Sequence, residues 1–139
     1  MNDQKINSRI IHILENYQKI AVVGLSDNPA RDSFGVATHM LRNGYQVFPV
    51  NPNYETVLGI TSYSTLKHIP EEIELVDIFR KSDMVLPIID EAIQIGARAV
   101  WMQLGVINQR AAQKALSAGL EVVMNRCWKV EYSRYVRSL

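Results

Sequence analysis

The sequence predicts an α/β protein: a doubly wound parallel sheet of about five strands in the order 3-2-1-4-5, with helices on both faces. Three observations predict it. Short, largely apolar β-branched runs alternate along the chain with segments of helical spacing, and runs of that kind read as strands buried on both faces. Strand followed by helix, several times over, requires parallel strands joined by right-handed crossovers. The length of 139 residues, 47% of them apolar, suits one core, so residues 1–139 are read as a single domain.

Ile6, Ile10, Ile13, Leu14 and Tyr17 recur at helical spacing and predict an amphipathic opening helix. Ile20 to Gly24 is the first strand. Asp32 or Ser33 is expected to cap a helix carrying Val36, Ala37, Met40 and Leu41, which Gly44 ends. The second strand is Gln46 to Val50, closed by Asn51 and Pro52. Tyr54 to Tyr63, with Gly59, suggests a short hairpin, and Thr65 to His68 a short helix. The third strand is Leu75 to Phe79. Ser82 or Asp83 is expected to cap a helix to Gly96 that tolerates Pro87 only near its start. Ala99 to Gln103 is the fourth strand. Asn108 caps a helix to Gly119, Glu121 to Met124 is the fifth strand, and a last helix spans Glu131 to Val136.

Charge and composition narrow the partners. Charged residues are 21% and the net charge is +1, so no long-range field draws the chain to nucleic acid or an anionic membrane. An anionic ligand must be held locally. One cysteine, Cys127, forbids an internal disulfide. No basic start precedes an apolar core at the N-terminus, and no apolar run reaches the length of a membrane span, so a cytoplasmic location is expected. A protein partner is compatible with these features without being identified by them.

Ligands of doubly wound sheets sit beyond the carboxyl ends of the strands, and the first two strands are expected to flank the point where strand order reverses. Gly24, Leu25 and Ser26 follow strand one, and Gly24 would let a ligand approach the backbone. The next helix start, at Ser33 with Arg31 before it, offers amide donors and a guanidinium for phosphate; a plain strand-to-helix turn is the alternative. The spacing matches neither the dinucleotide fingerprint nor the P-loop. Val50, Asn51 and Pro52 follow strand two. Asn51 stands where an NAD-binding sheet carries an acid for the ribose, and Val50 and Pro52 could wall an adenine or simply close the strand. Phe79 and Arg80 follow strand three, with a second anion site or ordinary core and surface roles; Lys81 reads as solvated. Gln103, at the end of strand four, needs a partner if buried, either backbone or ligand.

Catalytic patterns are thin. His12, His39 and His68 show no metal spacing with one another or with Cys127, and all three read as structural. No nucleophile elbow is present. Glu71, Glu72 and Glu74 belong to the opposite end of the sheet as a solvated turn, and Trp101 reads as core. Cys127 follows strand five beside Arg126; a mixed disulfide with a thiol ligand is conceivable chemistry, and a packing role is preferred.

Taken together, Ala21 to Ser26, Pro49 to Pro52, Val76 to Arg80, Trp101 to Gly105 and Asn125 to Cys127 resemble the small stand-alone CoA-binding proteins, themselves similar to the N-terminal domain of the succinyl-CoA synthetase α subunit. The resemblance implies a Rossmann-like sheet and a site for coenzyme A near the ends of strands one to four. It implicates Gly24, Leu25, Ser26, Val50, Asn51, Pro52, Phe79, Arg80 and Gln103, with Arg31 and Ser33 in a variable loop. It also implies binding without catalysis, because the phosphohistidine domain and the nucleotide-binding β subunit of that synthetase have no counterpart here. The competing expectation is a minimal NAD(P)-binding oxidoreductase.

Overall fold

A computed structural model describes residues 3–136. Strands β1 (Lys19–Val23), β2 (Gln46–Val50), β5 (Leu75–Ile78), β6 (Ala99–Met102) and β7 (Glu121–Met124) form one parallel sheet, with neighbours in the order β2-β1-β5-β6-β7. The short strands β3 (Thr56–Val57) and β4 (Ile60–Thr61) pair as the expected hairpin. Beyond β2, Tyr63 makes one parallel bridge to Val50. Counting that bridge as the third strand recovers the doubly wound 3-2-1-4-5 pattern. Leu75–Ile78, read as the third strand, sits beside β1 in the fourth place, and the Tyr63 segment holds the third. A one-residue bridge carries no apolar run, so periodicity does not reveal it.

The reversal point moves with that assignment. From β1 the chain steps outward to β2, then returns past β1 to β5 and continues in the opposite direction. The crevice therefore opens between β1 and β5, not between the first two strands.

Each face of the sheet is covered as alternation demands. Ala21, Val23, Val76, Ile78, Val100 and Met102 join a core with α3 (Val85–Gln94) and α4 (Gln109–Ser117). Ile20, Val22, Leu75, Ala99 and Trp101 face the other way, toward α1 (Asp3–Asn16), α2 (Asp32–Arg42) and α5 (Trp128–Tyr135). Asn108 caps α4 as expected, its side chain accepting from the Ala111 amide at 2.9 Å. Two other expected caps fail. Arg31 holds the cap position of α2 with no side-chain bond, and residues 82–84 form a 3-10 turn ahead of α3. Both hydroxyls are engaged elsewhere: Ser33 Oγ accepts from the Ser26 amide, and Ser82 Oγ accepts from the Ile107 amide. The last helix starts at Trp128, three residues' worth of chain earlier than its apolar spacing suggests, because Gln103 Oε1 accepts from the Trp128 amide at 3.1 Å. Glu74, expected to be solvated, instead accepts from the Gln18 and Lys19 amides and ties the start of β1 to the turn before β5.

One core residue breaks the apolar pattern. Asp77 lies between Val22 and Trp101 in the middle of the sheet, fully buried, and neither carboxylate oxygen has a hydrogen-bond partner among the described residues. Burial pushes its carboxyl well above the ordinary value of 3.8, against a smaller opposing pull from the Ile78 amide. A folded-state value raised in this way leaves stability intact below the ordinary carboxylate range and removes it as pH rises through the raised value. Denaturant titrations across pH should therefore show wild-type stability falling relative to Asp77→Asn as pH rises from the acid side. Parallel curves for the two proteins would mean that the ionised carboxyl is accommodated.

Candidate functional site

The site grows from one glycine. Gly24 follows β1 with φ +85, a conformation that favours a residue lacking Cβ. A Cβ built there would lie 2.2 Å from the Phe79 carbonyl oxygen and 3.3 Å from Arg80 Nε. The group that approaches this backbone is therefore the loop after β5, rather than a ligand. The Gly24 amide donates to Val50 O at 2.8 Å, and the Phe79 amide donates to Val23 O at 2.9 Å. The ends of β2, β1 and β5 are thus stitched together where the sheet reverses.

The loops above these strands are ordered by their own side chains. Buried Asn51 donates through Nδ2 to Leu25 O and accepts at Oδ1 from the Asn53 amide, both at 3.0 Å. Ser33, also buried, accepts from the Ser26 amide at 3.0 Å, and Ser26 Oγ accepts from the Asn28 amide at 3.1 Å. The hairpin reaches over this loop: the Leu58 amide donates to Asp27 Oδ1 at 3.0 Å, holding Leu58 at φ 54 in its turn.

A cavity of about 310 Å³ opens at this end of the sheet, on the α3 face. Val23, Val50, Pro52 and Leu66 form one apolar wall, and Met84, Pro87 and Ile88 form another. Its polar groups come from Ser64, Thr65, Arg80 and Glu91. The Glu91 carboxylate accepts from the Leu66 amide at 3.0 Å, which ties α3 to the crossover after the hairpin. Ser64 and Thr65 lie within hydrogen-bonding distance of His68 Nδ1, at 3.1 and 2.7 Å. Arg80 has no acidic partner among the described residues.

Three of the sequence-selected residues, Val50, Pro52 and Arg80, line this cavity. Gly24, Leu25, Ser26, Asn51 and Phe79 build the loops beside it: Leu25 is wholly buried and Phe79 packs toward the opposite face. Ser33 lies at the start of α2, on that opposite face, and Arg31 is exposed next to it. Gln103 is buried with its oxygen given to the Trp128 backbone. Cys127 packs on the α1, α2 and α5 face and its carbonyl accepts from Glu131, away from the cavity wall. Sequence reasoning missed Val23, Ser64, Thr65, Leu66, Met84, Pro87, Ile88 and Glu91 as lining residues. Apart from Val23 at the end of β1, they belong to the crossover after the hairpin, to the 3-10 turn and to α3, and only the path of the chain back across β1 brings them over its end. The short helix read near Thr65 was the one local signal.

The fold is a doubly wound α/β domain with a cleft at the strand carboxyl ends. Comparison with known families makes this specific: the chain belongs to the family described as the CoA binding domain, whose model matches residues 18–133. It is 37% identical over 126 residues to the uncharacterized protein YneT of Bacillus subtilis, spanning 91% of this chain and 93% of that protein. A hypothetical protein of Pyrococcus horikoshii superposes with a TM-score of 0.91 at 43% identity, covering 94% of this chain and 92% of its own. The ADP-forming acetate–CoA ligase II α subunit of Pyrococcus furiosus is 31% identical over 86 residues, 61% of this chain but only 19% of that protein.

Gly24→Ala tests the junction. The left-handed backbone alone costs an alanine about 1–2 kcal/mol, and the collision with the Phe79 carbonyl adds to it. Urea unfolding should show a loss larger than that range; a midpoint matching wild type would mean that the β5 loop moves aside freely.

Proposed function

We propose that this chain is a binding module for coenzyme A or an acyl-CoA, held at the carboxyl ends of β2, β1 and β5, and that it catalyses no reaction by itself. The observation that carries the reading is Arg80: a guanidinium without an acidic partner among the described residues, in the wall of a largely apolar cavity at the reversal of the sheet. A planar fork in that setting suits phosphate oxygens. Val23, Val50 and Pro52 offer an apolar surface to an adenine, and the Ser64 and Thr65 hydroxyls offer hydrogen bonds to a sugar or base edge. The Glu91 carboxylate repels phosphate, so the anionic part of the ligand belongs at the Arg80 end. Gly24, Leu25, Ser26, Ser33, Asn51 and Phe79 support the site by shaping its loops. Family membership supports the same ligand.

The oxidoreductase reading is weaker. Asn51, at the position where a dinucleotide site uses an acid, spends both ends of its amide on the loops. Ligation is likewise assigned to none of these residues, since the chain spans 12% of the Archaeoglobus fulgidus acetate–CoA ligase II and 19% of the Pyrococcus furiosus α subunit.

Calorimetry with CoA, acetyl-CoA, NAD and NADP under one set of conditions should show the CoA compounds binding tighter. Tighter binding of NAD would overturn the assignment. Arg80→Ala should weaken CoA by about 1.5–3 kcal/mol, the range for a hydrogen bond to a charged group, and Arg80→Lys should recover part of it. An unchanged affinity in Arg80→Ala would remove this residue from the site. Incubation with labelled ATP, CoA and acetate should yield neither thioester nor phosphoprotein; either product would end the non-catalytic reading.

A further inference from the structure

Next to the cavity lies an apolar surface that the proposed cofactor alone does not use. Met84, Leu104 and Ile107 are 56%, 69% and 47% exposed, large apolar side chains left to solvent at the ligand end of the sheet. They stand on two loops, after β5 and after β6, and those loops are fastened to each other. Ser82 Oγ accepts from the Ile107 amide and Asn108 Nδ2 donates to Ser82 O, both at 2.9 Å. The β6 loop is fixed from its other side as well, because the Gly105 amide donates to Asn125 Oδ1 at 2.8 Å. This is an ordered shelf, not a floppy tip.

Met84 makes the shelf continuous with the cavity, since it lines the cavity wall while remaining more than half exposed. The direction of a bound ligand follows from the charges. The phosphates belong at Arg80, at the end of β5, and the adenosine belongs against Val50 and Pro52, at the end of β2. A cavity of about 310 Å³ is too small for all of coenzyme A, so the arm beyond the phosphates must leave it. With β2, β1, β5 and β6 in that order across the sheet, a line from Pro52 through Arg80 continues past Met84 toward the loop after β6. The thiol end of the arm then arrives at Leu104 and Ile107.

We infer that Met84, Leu104 and Ile107 form a shelf for the apolar acyl chain of a thioester, so that the protein takes medium-chain acyl-CoA in preference to free CoA. The inference rests on the proposed CoA site and adds the class of acyl group to it. No bond is made or broken; the gain comes from removing methylenes from water, where two fully buried methylene groups already amount to about a tenfold change in affinity.

The test measures dissociation constants for CoA, acetyl-CoA, butyryl-CoA and octanoyl-CoA and reads their ratios. Octanoyl-CoA should bind at least about tenfold tighter than CoA, with butyryl-CoA between them. The double substitution Leu104→Ser, Ile107→Ser should bring the octanoyl-to-CoA ratio close to one. Both positions are exposed, and circular dichroism with a thermal melt checks that the variant is folded. A wild-type ratio near one, or a ratio that the double substitution does not move, overturns the shelf while leaving the CoA site standing. Failure of CoA itself to bind would instead overturn the site. Sedimentation on wild type and variant covers the other occupant: a dimer that the double substitution dissolves, with no chain-length preference, would make this face a contact between copies and overturn the inference.

Discussion

The close approach of the Phe79 carbonyl to Gly24 is the contact on which the rest of this molecule depends. It occurs where the chain, having wound outward from β1 to β2, returns and winds the other way from β5. Two strands that lie side by side at a reversal leave a crevice above them, because their following segments depart to opposite faces. In this chain the departing backbone of β5 fills the space a side chain on residue 24 would take, which brings Arg80 down against the end of β1. A basic residue is thereby placed at the mouth of the crevice by backbone geometry, without an acidic partner among the described residues to draw it aside.

Around that contact, polar side chains act mostly on the protein itself. Asn51 and Ser33 hold loops; Gln103 and Trp101 Nε1 each bond a backbone group near the start of α5, the latter to Arg126 O at 2.8 Å. Buried Glu131 binds Arg126 at 3.0 Å and Arg134 at 3.2 Å, closing the same corner. Buried groups satisfied in this way specify one arrangement of loops, because any other leaves them unpaired in a medium of low dielectric. The groups left for a ligand are then few: one guanidinium, two hydroxyls and a carboxylate in an otherwise apolar hollow. Asp77, Trp128 Nε1 and His39 Nε2 are the exceptions, buried polar groups without a hydrogen-bond partner among the described residues.

The division of the two faces has a functional side. The α1, α2 and α5 face carries the aromatic packing, with Trp128 stacked on Tyr132 and edge-on to Tyr45 and near His39. His39, read as structural, belongs to this cluster, where burial lowers its affinity for a proton. The α3 face carries the cavity. Its wall near α3 is built from a 3-10 turn and a proline at the start of a helix.

Local sequence determined the strands, the alternation of helix and strand, the Asn108 cap and the end of the sheet at which the cavity opens. Those features follow from periodicity and from side chains bonding backbone a few residues away, and both are written in short windows of sequence. Val50, Pro52 and Arg80 were found by that route, since each lies next to a strand end. Tertiary structure alone decided which strand neighbours β1, hence where the crevice opens, and which residues line it. The Ser64–Thr65 pair and the Met84 to Glu91 segment lie on either side of β5 in the chain and meet only because the crossover from β2 passes over β1 before entering β5. It also decided that Asn51, Ser33 and Gln103 bond their own loops. A polar side chain after a strand can reach a ligand or a neighbouring backbone, and the choice depends on which loop lies within hydrogen-bonding distance, a matter of the whole sheet's order rather than of any local pattern.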